Sequence, residues 1–317
     1  MKKALLILAA VCLVRAAAAL DYPTRNINII VPYSAGGSTD LATRAIVDTI
    51  PPGTLPPNVM FTVTDMPGGS GLVGINHLVN NVAHDGYTIA AASGDFIYSS
   101  VRGVTPLAPD AIKPIIFTQV DPYLILIKTG QPYTNLKELV AYIKANPGKV
   151  KFGDSGPNAV TRLVGVALQR ALDLKLDFIG YDSSNESILA VINGEAQLTS
   201  THSTAAAGQL RAGEIIPIAV SSKERTPLFP DVPTIAETFP AEAGEVNILS
   251  TMCVVVPKGM DPRITDYLQK VFIASVNTPA YKEKIKNFQA QDISHWTVQD
   301  IDNLFPSLAK YYGALSK

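Results

Sequence analysis

The stretch INIIVPYSAGGSTDLATRAIVDTI, residues 27–50, predicts a strand, a tight loop and a helix in succession. The largely β-branched run at 27–31 is typical of a buried strand, and Pro32 ends it because proline has no N–H for a neighbouring strand. The glycine pair at 36–37 allows backbone angles that other residues avoid, and Ser, Thr and Asp at 38–40 are residue types that begin helices.

One face of the predicted helix is apolar, because Ala42, Ala45, Ile46 and Ile50 follow helical spacing. A loop that leads into a helix presents free N–H groups and the positive end of the helix dipole, which favour a carboxylate or phosphate. An ordinary strand-to-helix turn has the same sequence features. From this stretch alone, both interpretations are open.

Composition indicates a globular protein with room for two domains. The chain has 317 residues, of which 47% are hydrophobic and 17% charged, and its formal net charge is −1. Since it has no basic run, we expect no nucleic-acid partner.

The first 19 residues resemble a secretory signal peptide. Lys2 and Lys3 precede an uncharged apolar segment at 4–14, and the small residues of 16–19 suit a cleavage site. We therefore predict export to the periplasm, with residues 1–19 removed. The remaining cysteine, Cys253, lies in an apolar run and is expected to be a buried core residue without a disulfide.

A second unit resembles the opening one. A short strand at 150–153 leads through a turn at 154–158 to a helix whose apolar face recurs from Val160 to Ala171. Further strands are predicted at 60–63, 87–92, 115–118, 123–127, 176–180, 197–200, 216–220 and 249–257, with helices at 72–82, after Thr134, around 264–272, from Pro279 and after Thr297.

Alternating strands and helices, occurring twice, predict an α/β protein with two lobes, a hinge and a ligand cleft at the carboxyl ends of the strands. The extended segments at 118–127 and 249–257 are the predicted connections. We place lobe 1 at 20–122 plus 250–317 and lobe 2 at 123–249.

Two motifs keep an enzymatic alternative open. Gly69-x-Gly71-x-x-Gly74 matches a dinucleotide fingerprint, with Asp95 after the next strand, but three residues separate the first glycine from the strand, which favours a structural loop. Ser155, in Gly-Asp-Ser-Gly, resembles a protease nucleophile, but a strong helix follows it. A secreted α/β enzyme, either a Ser155 hydrolase or a nucleotide enzyme that uses Gly69–Gly74, is thus the alternative hypothesis.

The sequence favours neither catalysis nor a metal site. It contains no HExxH or CxxC motif, and none of the histidines lies in a setting typical of a general base. We expect no cofactor and no metal. His202 follows a predicted strand among hydroxyl residues, so it either contacts a ligand or caps a helix.

The residues expected at the cleft are rich in hydroxyl groups and poor in cations, which suits an anion bound by neutral donors. They include Ser34, Ser38, Thr39, Ser155, Asn158, Thr161 and Thr201.

The chain resembles the solute-binding receptors of the tripartite tricarboxylate transporter family, the TctC-like or Bug-type proteins. The resemblance rests on VPYSAGGSTD at 31–40, PGGSG at 67–71, SGPNAVTRL at 155–163 and RTPLFPDVPTIAE at 225–237. It implies a Venus-flytrap fold of the type II kind. It also implies a periplasmic receptor without enzymatic activity that passes small di-, tri- or aromatic carboxylates to a membrane permease; we expect a monomer.

The resemblance also implies a site in which two loops grip one carboxylate. The residues it assigns are Tyr33, Ser34, Gly36, Gly37, Ser38 and Thr39 in the first loop and Ser155, Gly156, Asn158, Ala159 and Thr161 in the second, to which we add Ser93, Tyr181, Thr201 and His202. Ala35 and Asp182 depart from the family pattern. Arg162 also departs, and it offers a fork to a second carboxylate or faces solvent.

Overall fold

The computed structural model describes residues 20–244 and 246–315, so the predicted signal peptide lies outside the described residues. Its strands are β1 (Ile27–Val31), β2 (Phe61–Asp65), β3 (Thr88–Ser93), β4 (Ile112–Pro122), β5 (Leu124–Lys128), β6 (Val150–Asp154), β7 (Leu176–Gly180), β8 (Leu198–Thr201), β9 (Ile215–Val220) and β10 (Leu249–Pro257).

The helices follow the strands in alternation through much of the chain. They are α1 (Ser38–Asp48), α2 (Leu72–Asn80), α3 (Gly94–Val101), α4 (Leu136–Ala145), α5 (Val160–Leu172), α6 (Ser184–Asn193), α7 (Ser203–Ala212), α8 (Ile235–Thr238), α9 (Pro240–Ala243), α10 (Pro262–Val276), α11 (Pro279–Asn287) and α12 (Val298–Leu315).

Two five-stranded sheets form the two lobes, and they have the same design. The first has the order β2-β1-β3-β10-β4 and the second β7-β6-β8-β5-β9. In each sheet one strand, β10 or β5, runs antiparallel to both of its neighbours, whereas β1 pairs in parallel with β2 and β3, and β6 with β7 and β8. The predicted two-lobed α/β architecture is confirmed.

The chain passes from the first sheet to the second directly after β4, and it returns through residues 221–248 to β10. We call the parts that contain these sheets the first and second lobe. The boundaries at 122/123 and 249/250 stay a prediction. In each βα unit, the strand ends at the edge of its sheet that faces the other lobe. The N-termini of α1, α3, α5, α6 and α7 therefore lie near the junction between the two lobes.

The core confirms the apolar patterns read from the sequence. Ile27, Ile29 and Ile30 of β1 are fully or almost fully buried, and Ala45 and Ile46 of α1 pack in the same cluster. Cys253 is buried in β10, as predicted.

The helix starts differ from the predictions in two places. Gly37 precedes α1, whereas Ser38, Thr39 and Asp40, which were predicted to cap the helix, lie inside its first turn. Gly37 makes no side-chain cap hydrogen bond. Asn135, not Thr134, caps α4, because its side-chain oxygen accepts the Glu138 N–H at 3.0 Å. The helix predicted after Thr297 is α12, and it begins with a reciprocal capping pair in which Asp300 accepts the Thr297 N–H and Thr297 accepts the Asp300 N–H.

Candidate functional site

The loop between β1 and α1 is organised by glycine and by one carboxylate. Gly36 adopts φ +77°, which favours glycine, and the Gly37 N–H donates to the Ser34 carbonyl at 3.2 Å. Asp40 turns back from the helix and accepts the Gly36 N–H at 2.8 Å, while its other oxygen pairs with Arg44 at 2.6 Å. Gly37 gives the first turn of α1 no side-chain cap.

The loop between β6 and α5 is braced in the same way. Asp154 accepts the Gly156 N–H at 2.8 Å and pairs with Arg162 at 2.8 Å. Gly156 has φ +110°, and Thr161 Oγ1 accepts the Ser155 N–H at 3.0 Å. Arg162 thus supports its own loop, and its guanidinium lies 5.3 Å from the centre of the Phe178 ring.

Asp154 is fully buried, and burial raises its pKa to about 6 although Arg162 and the Gly156 N–H act in the opposite direction. A buried carboxylate without its cation would be costly, so the Arg162 pair is part of the structure of this loop. Arg162 is partly buried and bonded to Asp154 within the second lobe, and its contact with a second carboxylate stays a prediction.

A third polar group joins the two loops across the cleft. Asp95, in the first turn of α3, accepts the Tyr33 hydroxyl at 2.6 Å and the Val160 N–H at 2.8 Å. Ser93 caps α3 by accepting the Asp95 N–H at 3.1 Å, and it lies 2.8 Å from the Tyr33 hydroxyl. Asp95 belongs to the first lobe and Val160 begins α5 in the second, so this bond connects the lobes.

Asp95 is 5% exposed, and burial raises its pKa to about 6 against the effect of the hydrogen bonds from Tyr33, Val160 and Ser93. The sequence had marked Asp95 only as a possible partner of the glycine motif. The sequence feature that could have identified Asp95 as a site residue is its position: it is an acid two residues after Ser93, where β3 meets α3.

The glycine motif forms an interlobe contact. Ser70, which has φ 56°, accepts the Asn158 N–H at 3.3 Å, and the Asn158 carbonyl accepts the Ser99 hydroxyl at 3.4 Å. A Cβ added to Gly156 would lie 2.6 Å from Ser70 Oγ. The motif therefore meets the second lobe at close range, as a structural loop does.

A cavity of about 110 Å³ lies between these loops. It is lined by Tyr33, Gly68, Gly69, Ser70, Gly71, Ser155, Gly156, Pro157, Gly180, Tyr181 and Asp182. Tyr33, Ser155, Gly156 and Tyr181 were predicted, whereas the 68–71 loop was missed as a lining element. A larger cavity of about 440 Å³, among α5, α9 and α12, is lined mainly by apolar side chains and contains none of the predicted residues.

Several predicted hydroxyl groups are buried near helix starts. Among residues 20–244 and 246–315, Ser38 Oγ, Thr201 Oγ1 and Ser203 Oγ are buried without a hydrogen-bond partner. Ser38 begins α1, the other two flank the start of α7, and α1 packs against α7. Buried hydroxyls are normally bonded, so these groups are candidate contacts for a bound solute. Ser203 was not predicted.

The remaining predicted residues occupy different positions. Thr39 and Ala159 are buried at the starts of α1 and α5, and Ser155 Oγ lies 3.5 Å from Ser184 Oγ. Burial, and then the neighbouring Glu195 carboxylate, raise the pKa of Tyr181 to about 12, so its hydroxyl keeps its proton.

His202 precedes α7 and its side chain is directed to the lobe junction. Its Nδ1 bonds to the Ser250 hydroxyl, and its ring centre is 4.8 Å from that of Tyr123. Burial lowers the pKa of His202 to about 3, so the ring is neutral. A ligand contact by His202 stays a prediction.

The comparison with known families decides the class of protein. Residues 58–315 match the model of the "Tripartite tricarboxylate transporter family receptor", TctC. The chain belongs to this family. It is 26% identical to the protein BugT of Bordetella pertussis over 87% of this chain and 88% of that protein. It is 27% identical to a "UPF0065 protein in gbd 5'region" of Cupriavidus necator over 85% and 80%, respectively.

Solved structures of receptors confirm the two-lobed periplasmic-binding-protein fold of this TctC-family chain. The "periplasmic binding protein BugD" matches with a TM-score of 0.84 at 24% identity, over 93% of this chain and 97% of BugD. MatC from Rhodopseudomonas palustris, with bound malate, matches with a TM-score of 0.85 at 19% identity, over 93% and 100%. An R. palustris protein with adipate gives 0.83 at 23% identity, over 93% and 97%.

The described residues lack two further kinds of feature. In residues 20–244 and 246–315, no cluster of three or more His, Cys, Asp or Glu side chains could hold a metal ion. Within the same ranges, no helix has the length and apolar character needed to cross a membrane.

Proposed function

We propose that this receptor binds a small organic carboxylate between its lobes and delivers it to a tripartite tricarboxylate-type permease. The observation that carries the proposal is the pair of helix starts, α1 from the first lobe and α5 from the second, which approach the same cleft. Neither Gly37 nor Ala159 supplies a side-chain cap, so the first N–H groups of both helices depend on partners from elsewhere.

A carboxylate suits such a site for two reasons. The N–H groups at a helix start are donors to an anion, and the helix dipole adds a favourable field. The nearby arginines, Arg44 and Arg162, are already paired with Asp40 and Asp154. Neutral donors, including the buried Ser38 hydroxyl, then hold the solute, which also permits its release.

The solutes of two structurally similar receptors support a carboxylate, since one was solved with malate and another with adipate. The predicted signal peptide supports a periplasmic location, and we infer a monomer in which 20–122 plus 250–317 and 123–249 close on each other around the hinge.

We infer that the chain is not an enzyme. Ser155 has Ser184 as its hydroxyl neighbour, and His202 is neutral and bonded to Ser250. Ser155 is not bonded to His202, and Ser250, the serine that is bonded to His202, is fully buried in β10, so neither serine is an accessible nucleophile with an attached base.

A thermal-shift panel tests the proposal. The purified protein is heated with malate, adipate, citrate, benzoate and, as a different class, ATP and NAD. A carboxylate present at 100 times its Kd should add about 2.7 kcal/mol to the free energy of unfolding. NMR of the same mixtures should show unchanged carboxylate after a day. Stabilisation by a nucleotide alone, or consumption of the carboxylate, would overturn the proposal.

A further inference from the structure

We propose that Asp95 is an internal carboxylate that holds the two lobes together without solute, and that a solute carboxylate reaches α5 only by displacing it. This inference rests on the proposed function for the nature of the solute. It concerns a different property, the competition between the chain's own carboxylate and the incoming one.

The geometry places Asp95 where a bound anion would be expected. Its Oδ1 accepts the Val160 N–H at 2.8 Å, and Val160 is the first residue of α5. Since Ala159 gives α5 no side-chain cap, the cap comes from the opposite lobe, across 65 positions of sequence. A carboxylate at a helix start is stabilised by both the hydrogen bond and the dipole.

The surroundings of Asp95 fix its position on the first-lobe side. Tyr33 donates to Oδ2 at 2.6 Å, and the Asp95 N–H is bonded to Ser93 at 3.1 Å. Tyr33 itself belongs to the loop that leads into α1. Asp95 therefore links the two loops that form the cleft, β1–α1 and β6–α5, through one buried side chain.

A second carboxylate at the α5 start would meet Asp95 at close range. Two negative groups in a buried site repel each other strongly, and Asp154 is already close enough that Asp95 contributes to its raised pKa. The solute and Asp95 therefore exclude each other at this position. Receptor opening, solute entry and loss of the Asp95–Val160 bond become one coupled event.

Two substitutions break this bond from opposite sides. Asp95→Ala removes the acceptor. Val160→Pro removes the donor, and a proline is tolerated there because Val160 is the first helical residue and Ala159 is extended, with φ −82° and ψ 149°. Asp121→Ala is the matched control, because Asp121 is also a buried acid but accepts the Gln291 N–H within the first lobe at 3.1 Å.

Small-angle X-ray scattering of the solute-free proteins tests the link between the lobes. The wild type and Asp121→Ala should share one small radius of gyration. Asp95→Ala and Val160→Pro should each increase it, and the double variant should add little, because both remove the same bond. Equal radii for all five proteins would overturn the proposal, whether or not any carboxylate binds.

Calorimetric titration with malate and adipate tests the competition. If the open, binding-competent form is about a tenth of wild-type molecules, Asp95→Ala should raise the affinity about tenfold. A merely structural role of Asp95 would instead lower the affinity. A decrease in affinity for both acids contradicts the displacement, whereas no binding by any variant counts against the proposed function and leaves scattering as the test of the lobe contact.

Discussion

The two loops that face each other across the cleft, β1–α1 and β6–α5, have the same design and differ in one partner. In each, an aspartate accepts the N–H of a glycine in the loop and pairs with an arginine of the helix. Asp40 lies inside α1 and pairs with Arg44 one turn later, whereas Asp154 ends β6 and pairs with Arg162 in the first turn of α5. In each, the residue before the helix gives no side-chain cap.

The difference lies in what the helix starts contact. The first N–H of α5 is bonded to Asp95 of the first lobe, whereas Ser38 at the start of α1 keeps a buried hydroxyl without a partner in the described chain. One half of the site is therefore ready for a solute, and the other is already bonded to the protein.

The largest effect is expected from Gly37→Val. A Cβ at this position would lie 3.2 Å from the Ser34 carbonyl oxygen and 3.3 Å from Ser183 Cβ of the second lobe. The added branches then block both the α1 N–H groups and lobe closure, and carboxylate affinity should fall at least about a thousandfold, or about 4 kcal/mol. Calorimetric titration measures this change.

Gly208→Val is the control for this substitution, because a Cβ at Gly208 has no other atom within 4 Å. It should keep wild-type affinity. Tight binding by Gly37→Val would show that the solute does not use the start of α1.

Removing the arginine should lower the free energy of unfolding by different amounts in the two aspartate–arginine pairs. Asp154 is fully buried and Arg162 is 23% exposed, so Arg162→Met should lower the free energy of unfolding by about 3 kcal/mol. Asp40 is buried as well, but Arg44 is 44% exposed and water can replace it, so Arg44→Met should lower the free energy of unfolding by about 1 kcal/mol. Urea unfolding of both variants measures the difference; equal costs would contradict the stated role of burial.

Gly156→Ala tests the contact between the second loop and Ser70. Alanine is strained at φ +110°, and its Cβ would lie 2.6 Å from Ser70 Oγ. We expect about 2 kcal/mol of destabilisation. Gly148→Ala is the control, because Gly148 has φ +72° and no other atom near the added Cβ. It has the backbone strain without the contact and should therefore lower the free energy of unfolding by less. Adding Ser70→Gly to Gly156→Ala should restore part of the loss, and no restoration would argue against the contact.

The smallest effect concerns pH. The pKa of Asp95 is raised to about 6, so the folded state holds this proton more tightly than the unfolded chain does. Its contribution to stability is complete below the unfolded value and is lost as pH rises through 6. Asp95→Asn cannot titrate, so its stability relative to the wild type should increase by about 1 kcal/mol between pH 5 and 7.

Asp300→Asn is the control for the pH series, because the Thr297 contacts lower the pKa of Asp300 and it is ionised throughout that range. Its difference from the wild type should stay constant. Buried His202 changes both proteins of each pair alike and cancels from the comparison. Asp154 does not cancel, because burial and the nearby Asp95 together raise its pKa to about 6; the loss of the Asp95 effect in Asp95→Asn increases the relative stability of the variant at higher pH in the same direction. A constant difference for Asp95→Asn would contradict the raised pKa.

The sequence predicted the elements that have strong local patterns. The β1–α1 and β6–α5 units combine β-branched strands, glycine loops and apolar helix faces, and both have the predicted order. The family resemblance and the two-lobed fold are confirmed by the comparisons.

The elements that sequence analysis missed have weak local patterns. Helices α3, α6 and α7 are short or rich in serine and alanine, so their apolar spacing is not distinctive. The Asp95–Val160 bond could not be predicted, because it depends on how two lobes meet. No local pattern reports the distance between residues that far apart in the chain.

A crystal structure with the carboxylate that gives the largest thermal shift would show whether the solute binds at the helix starts. We expect one solute carboxylate within hydrogen-bond distance of the N–H groups that begin α1, with Ser38 as a further partner and with the Val160 N–H released by Asp95. A carboxylate bound away from both helix starts, in the 440 Å³ cavity among α5, α9 and α12 for example, would contradict it.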